Sequence, residues 1–108
     1  MKVEELTFDE KGLIPVIVQE ADGQVLMFGF ANEEAVRTTL EKKLGTFWSR
    51  SRQELWIKGE TSGNRLHVIE VLYDCDADAL LYRVNLEGEG ACGHFPERSC
   101  FFRTLESD

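Results

Sequence analysis

The chain has 108 residues, 43% of them hydrophobic, which supplies one small globular domain with a single core. A formal net charge of −8 argues against general nucleic-acid binding, which needs excess Lys and Arg to neutralise phosphates. No apolar run approaches a membrane span, and the acidic start "MKVEELTFDEKGLIPV" never reaches an apolar signal core, so the expectation is a cytoplasmic protein with no membrane partner.

Taken in chain order, "PVIVQ" (15–19) and "QVLMFGF" (24–30) are β-branched and apolar, and the turn signal "ADG" between them predicts a hairpin. Asn32 then caps a predicted helix, "NEEAVRTTLEKKL". Glu33 and Glu34 suit its first turn, Lys42 and Lys43 its last, and Gly45 is expected to close it. Ala35, Val36, Leu40 and Leu44 make its apolar stripe. Short strands follow at "TFWS", "ELWI", "LHVIEVLY" and "ALLYRVNL", with a last one near "SCFFR". One helix among short strands without βαβ alternation predicts a single α+β domain over 1–108 with a largely antiparallel sheet.

Charge is unevenly spread. Between 46 and 67, Arg50, Arg52, Lys58 and Arg65 face only Glu54 and Glu60, a net of +2 in an acidic chain. Such a segment suits a focused site for a small anion, or else is ordinary solvated surface. In "WSRSRQELWIKGETSGNR" the hydroxyls and the Gly63 turn can cradle phosphate oxygens, and Arg can clamp them. If "SRSR" is extended, Arg50 and Arg52 share one face and Ser49 and Ser51 the other. A plain polar hairpin is the competing reading.

"YDCDADAL" places Asp74, Asp76 and Asp78 at every second position. In an extended chain those carboxylates share one face and repel, while Cys75 points away. A calcium loop is excluded, because its sixth and twelfth positions, which need Gly and Glu, hold Ala79 and Asn85. A hard cation remains, and Mg²⁺ with a substrate phosphate fits best. Cys75 joins Cys92 and Cys100 of "ACGHFPERSC" as three reduced thiols suited to zinc, with His94 close by. Three sulfurs leave a tetrahedral fourth position open for catalysis, whereas His94 as a fourth ligand would close a structural site. The competing reading makes Cys75 and Cys100 buried core thiols and His67 a strand residue with a structural hydrogen bond.

"GLIPVIVQ", "VLMFGFANEEA", "TFWSRSRQELWIKGETSGN", "DCDADALL" and "RSCFFR" occur in this order. Together they resemble the phosphoribosyl-AMP cyclohydrolases of histidine biosynthesis, over nearly the whole chain. The resemblance implies a homodimer with Mg²⁺ on Asp74, Asp76 and Asp78 and Zn²⁺ on Cys75, Cys92 and Cys100. It further implies that the first cysteine and the later pair come from different subunits. The implied substrate is adenosine monophosphate with a second phosphoribosyl group on N1, and the implied reaction is hydrolytic opening of its C6–N1 bond by zinc-activated water. The product is a formamidine–carboxamide. The fused pyrophosphohydrolase domain of some relatives is not expected after Asp108. Arg50, Arg52, Lys58, Thr61 and Ser62 become candidates for the phosphates, Trp48 or Trp56 for stacking on the base, and His94 before His67 for carrying the proton.

Two departures stand out. "CGHFPERSC" carries one added residue between its cysteines, with Phe95 and Pro96 where the family has Thr-Gly, and "TSGN" has Asn64 where many members have His. The added residue is expected to form a bulge around Gly93 that keeps His94 near the zinc-bound water. The competing class is a non-catalytic, zinc-stabilised nucleotide-binding module, distinguished by closed four-ligand zinc and no turnover.

Overall fold

The computed structural model describes residues 1–107. A 3-10 turn at Val3–Glu5 precedes strands β1 (Ile14–Glu20) and β2 (Val25–Ala31) and the helix α1 (Glu33–Lys42). Four strands follow: β3 (Thr46–Ser49), β4 (Glu54–Ile57), β5 (Leu66–Tyr73) and β6 (Leu80–Leu86). The α+β expectation holds, with a refinement to the sheet. β2-β1-β6-β5 form a four-stranded sheet whose outer pairs are antiparallel hairpins, but β1 and β6 run parallel at its centre. No tight turn joins those two strands, so nothing in the connection forces them antiparallel. β3 and β4 make a separate two-stranded hairpin. No helix among the described residues is long and apolar enough to cross a membrane.

β1 shows why one sheet face is the core: Ile14, Val16 and Val18 are fully buried while Ile17, between them, is 41% exposed. α1 and the β3–β4 hairpin cover that inner face. Phe47 is fully buried between Trp56 and Tyr82, at centroid distances of 5.1 and 5.7 Å. It also lies over Gly29, where a Cβ would sit 2.9 Å from its ring. Truncating such a buried aromatic costs about 3–5 kcal/mol.

The helix begins as expected, with Asn32 Oδ1 accepting the Ala35 N–H at 2.8 Å. Its end is different. Lys43, not Gly45, takes the left-handed conformation (φ 58) and donates its N–H to Thr39 O. Gly45 instead donates to Leu66 O at 2.9 Å, tying the chain to β5. The buried face is Ala35, Val36 and Thr39, with Leu40 turned partly outward. Thr39 Oγ1 donates to Ala35 O at 2.9 Å and accepts the Thr46 N–H at 3.0 Å, so a hydroxyl fastens helix to hairpin inside the core.

The strand expected near "SCFFR" does not form. Residues 87–107 carry neither helix nor strand, and their end is instead stitched to β2 by single hydrogen bonds. On the sheet's outer face Phe28, Ile17, Leu81 and Leu72 lie side by side across all four strands. Phe28 and Leu72, at its two edges, remain 47% and 38% exposed.

Candidate active site

"DCDADA" is a turn joining β5 to β6, not an extended strand, so the alternation expected of it is corrected. Ala77 takes φ 59, its N–H donates to Asp74 O, and its own carbonyl accepts the Thr7 N–H. Asp74 Oδ1 accepts the N–H groups of Asp78 and Ala79 at 3.0 and 3.2 Å, which folds the loop back on itself. The three carboxylates still converge: one oxygen from each of Asp74, Asp76 and Asp78 lies within 4.8 Å of the others. Curling, rather than strand alternation, brings them together.

Their protonation is shared unequally. Hydrogen bonds with the Asp76 and Asp74 carboxyls, then partial desolvation and their charges, push Asp78 up to about 6. Desolvation raises Asp74 too. The Asp78 N–H, the Asp78 carboxyl, the Ala79 N–H and Asp76 outweigh it and hold Asp74 below the ordinary range. Three convergent carboxylates are the donor set a hard divalent cation takes.

The thiols fall into two places. Cys75 is exposed in the Asp loop. Cys92 and Cys100 lie together in the 87–107 segment. Cys92 sulfur accepts the backbone N–H of His94, is opposed by desolvation, and then accepts the Phe95 N–H and a hydrogen bond from Cys100. With Lys58 nearby, the net effect holds the Cys92 thiol low. Desolvation and the Cys92 charge push Cys100 up, against Lys58. Two neighbouring sulfurs beside a lysine, one thiol held low and the other pushed up, make a donor pair suited to a thiophilic metal.

These two places are far apart within one chain. The Asp loop leads into the Leu80 end of β6, which is level with Val16 and Gly29. Cys100 is bonded to Leu26 of β2, toward the Glu20 end of β1. Cys92 shares a cavity with Asn64, just before Leu66, which pairs with Leu86 at the far end of β6, so the seven-residue strand, roughly 20 Å long at ~3.3 Å per residue, lies between Cys75 and Cys92.

β3 ends at Ser49, so Arg50 and Arg52 sit in the hairpin tip and not on one strand face as expected. Gln53 (φ 54) turns the chain, its N–H donating to Ser49 O. The tip, with Phe28, Phe30, Trp48 and Trp56, walls a cleft of about 300 Å³ that contains both Arg50 and Arg52. Arg50 stacks 4.1 Å above the Phe30 ring. Arg52 and Trp56 also border a second cleft of about 370 Å³, with Lys58, Thr61 and Ser62. All seven substrate candidates therefore line two adjoining clefts. The second is shaped by Gly59 (φ 82), where a Cβ would lie 2.2 Å from the Asn64 carbonyl carbon.

The two histidines differ in company. His67 Nε2 is 2.6 Å from Glu87 Oε1, and Arg65 lies 3.7 Å from the same carboxylate. His94 is exposed, two residues from Cys92. Phe28 and Phe30 were not foreseen as cleft walls, and Asn64, Phe95 and Pro96 were not foreseen beside Cys92 in a cavity of about 170 Å³. Only the spacing of Phe28 and Phe30 on one strand face could have flagged the first pair.

A family model described as phosphoribosyl-AMP cyclohydrolase matches residues 27–102. A protein of that name from Archaeoglobus fulgidus is 57% identical over 105 residues, covering 96% of this chain and 95% of that one. The chain belongs to the phosphoribosyl-AMP cyclohydrolase family. Another cyclohydrolase of that name, from Prosthecochloris aestuarii, is 50% identical over 98% of this chain and 77% of its own length. The histidine biosynthesis bifunctional protein HisIE of Thermus thermophilus is 55% identical over 97% of this chain, which spans 49% of that protein. The cyclohydrolase family model thus takes in the clefts, the Asp loop and all three cysteines.

Proposed function

We propose that the protein opens the adenine ring of 1-(5-phosphoribosyl)-AMP by hydrolysis of the C6–N1 bond, in histidine biosynthesis in the cytoplasm. The observation that carries this reading is the convergence of Asp74, Asp76 and Asp78 within 4.8 Å, in a chain belonging to the cyclohydrolase family.

Arg50, Arg52, Lys58, Thr61 and Ser62 hold the two phosphates, one cleft for each end of the substrate. Trp48 or Trp56 stacks on the base between them. Asp74, Asp76 and Asp78 hold Mg²⁺, which screens their repulsion and neutralises phosphate charge. Cys92 and Cys100 of one chain, with Cys75 of a second, hold Zn²⁺; the span of β6 between Cys75 and the pair supports a site shared in a homodimer. Zinc held there supplies the Lewis acidity that brings the pKa of a water to about 7.

His94 carries the proton. It takes one as a water oxygen adds to C6 and gives one to N1 as the C6–N1 bond breaks. The exocyclic nitrogen stays on C6 as the carboxamide. Its place beside Cys92 supports this role, whereas His67 is engaged by Glu87. His94→Ala is expected to slow turnover on the order of 10²–10⁴-fold with zinc retained, and His67→Ala much less. The reading is tested by incubating purified protein with phosphoribosyl-AMP, Zn²⁺ and Mg²⁺ and following the ultraviolet change of ring opening. Turnover supports it; a substrate that is bound and left intact points to a binding module instead.

A further inference from the structure

The irregular segment that carries Cys92 and Cys100 is attached to the sheet at three consecutive residues. Arg98 Nη2 lies 3.1 Å from Glu20 Oε2, and Arg98 Nε donates to Gln24 Oε1 at 3.1 Å. Ser99, almost fully buried, donates from Oγ to Val25 O at 2.6 Å, and its Oγ accepts the Phe101 N–H at 2.9 Å. Cys100 donates its N–H to Leu26 O at 2.7 Å. The partner Glu20 is unusual among the acids of this chain, its side chain being only 10% exposed. It also accepts the Leu86 N–H, at 3.1 Å to Oε2. On the far side, Arg98 O accepts the Ala91 N–H at 2.8 Å, so the arginine also holds the start of the loop next to Cys92.

Solvated surface ion pairs contribute little, because water screens them and ordering two side chains costs entropy. This pair is different, since removing the arginine leaves a nearly buried carboxylate with fewer donors. A segment without helix or strand has no ladder to fix its register, so these bonds do so.

We propose that Glu20, Arg98 and Ser99 are positioning residues that clamp the "RSC" stretch onto the β1–β2 hairpin and so fix where the Cys100 sulfur stands relative to Cys92. The hairpin otherwise carries none of the metal ligands. The proposal rests on the zinc reading above for its consequence, though the clamp itself is made by protein groups alone.

The test uses the full chain with Arg98→Met, Arg98→Lys and Ser99→Ala, and Arg37→Met as a control that breaks only the exposed pairs with Glu33 and Glu4. Zinc affinity is measured by competition with a chromophoric chelator, and Cys100 alkylation by mass spectrometry on metal-free protein. Arg98→Met and Ser99→Ala are expected to weaken zinc binding on the order of 10–100-fold, as loss of outer-shell support does, and to speed Cys100 alkylation. Arg98→Lys should recover much of both, and Arg37→Met should change neither. Wild-type affinity and alkylation in both Arg98→Met and Ser99→Ala overturn the proposal. If the wild-type chain binds no zinc, the zinc reading falls, and alkylation alone still decides the clamp. If the variants fail to fold, hydrogen exchange in the wild type decides it. The Cys100 amide should then be protected like the β2 amides, and exchange as fast as at Phe95 overturns the clamp.

Discussion

Asp78 is the residue whose chemistry is most exposed to measurement. Its carboxyl is pushed up to about 6, mainly by its hydrogen bonds with Asp76 and Asp74. A cation binds the ionised form, so below that pH it must displace a proton. Apparent Mg²⁺ affinity should be level above about pH 7 and fall about tenfold per unit below about pH 6, as titration calorimetry at several pH values would show. The sign for folding is opposite to that of a salt-bridged aspartate. A folded-state pKa above the free value means that ionisation of Asp78 opposes folding, so its contribution to stability is lost as pH rises through about 6 in metal-free protein. Mg²⁺ should cancel that loss. Asp74→Asn, Asp76→Asn and Asp78→Asn should each weaken the magnesium response while zinc content persists, because carboxylates and thiols take different metals. Full activity with an unchanged magnesium response in one of them would remove that residue from the ligand set.

At the scale of elements, the short strands 46–49, 54–57 and 66–73 were legible to the residue, because β-branched and aromatic runs are bounded by Gly and polar turns. Besides the missing strand near "SCFFR", three local readings failed for one shared cause. The helix end, the hairpin tip and the Asp loop each turn on a non-glycine residue in the left-handed region: Lys43, Gln53 and Ala77. Glycine normally marks such turns, and without it the period-2 spacing of the aspartates imitates a strand. Ala77→Gly should therefore be neutral or stabilising by about 1 kcal/mol in thermal unfolding, since Gly removes the steric cost of that φ. Ala77→Val should destabilise and weaken cation binding. Thr39 makes a second test. Thr39→Val keeps the shape but leaves the buried Thr46 N–H without its acceptor, for an expected loss of about 1–3 kcal/mol in denaturant unfolding. The site residues themselves were legible as types. Their grouping was not, because the two clefts join Phe30 to Arg50 and Arg52 to Ser62 across elements that sequence spacing does not relate.

At the scale of the molecule, one chain offers a carboxylate cluster at one end of its sheet and a thiol pair toward the other. The apolar row Phe28, Ile17, Leu81 and Leu72 is the surface that the proposed homodimer would cover. The protein should run as a homodimer at micromolar concentration. Inactive Cys75→Ala and Cys100→Ala chains should regain activity when mixed, because a mixed dimer has one site with both lesions and one with neither. No recovery after verified subunit exchange would require all three thiols from one chain. Hydrolysis at C6 is checked by running the reaction in heavy-oxygen water with both metals present and locating the label by mass spectrometry. Attack of water at C6 puts one solvent oxygen in each product, in the carboxamide carbonyl. Turnover that leaves the carboxamide unlabelled, or an intact ring with Zn²⁺ and Mg²⁺ both bound, would contradict it.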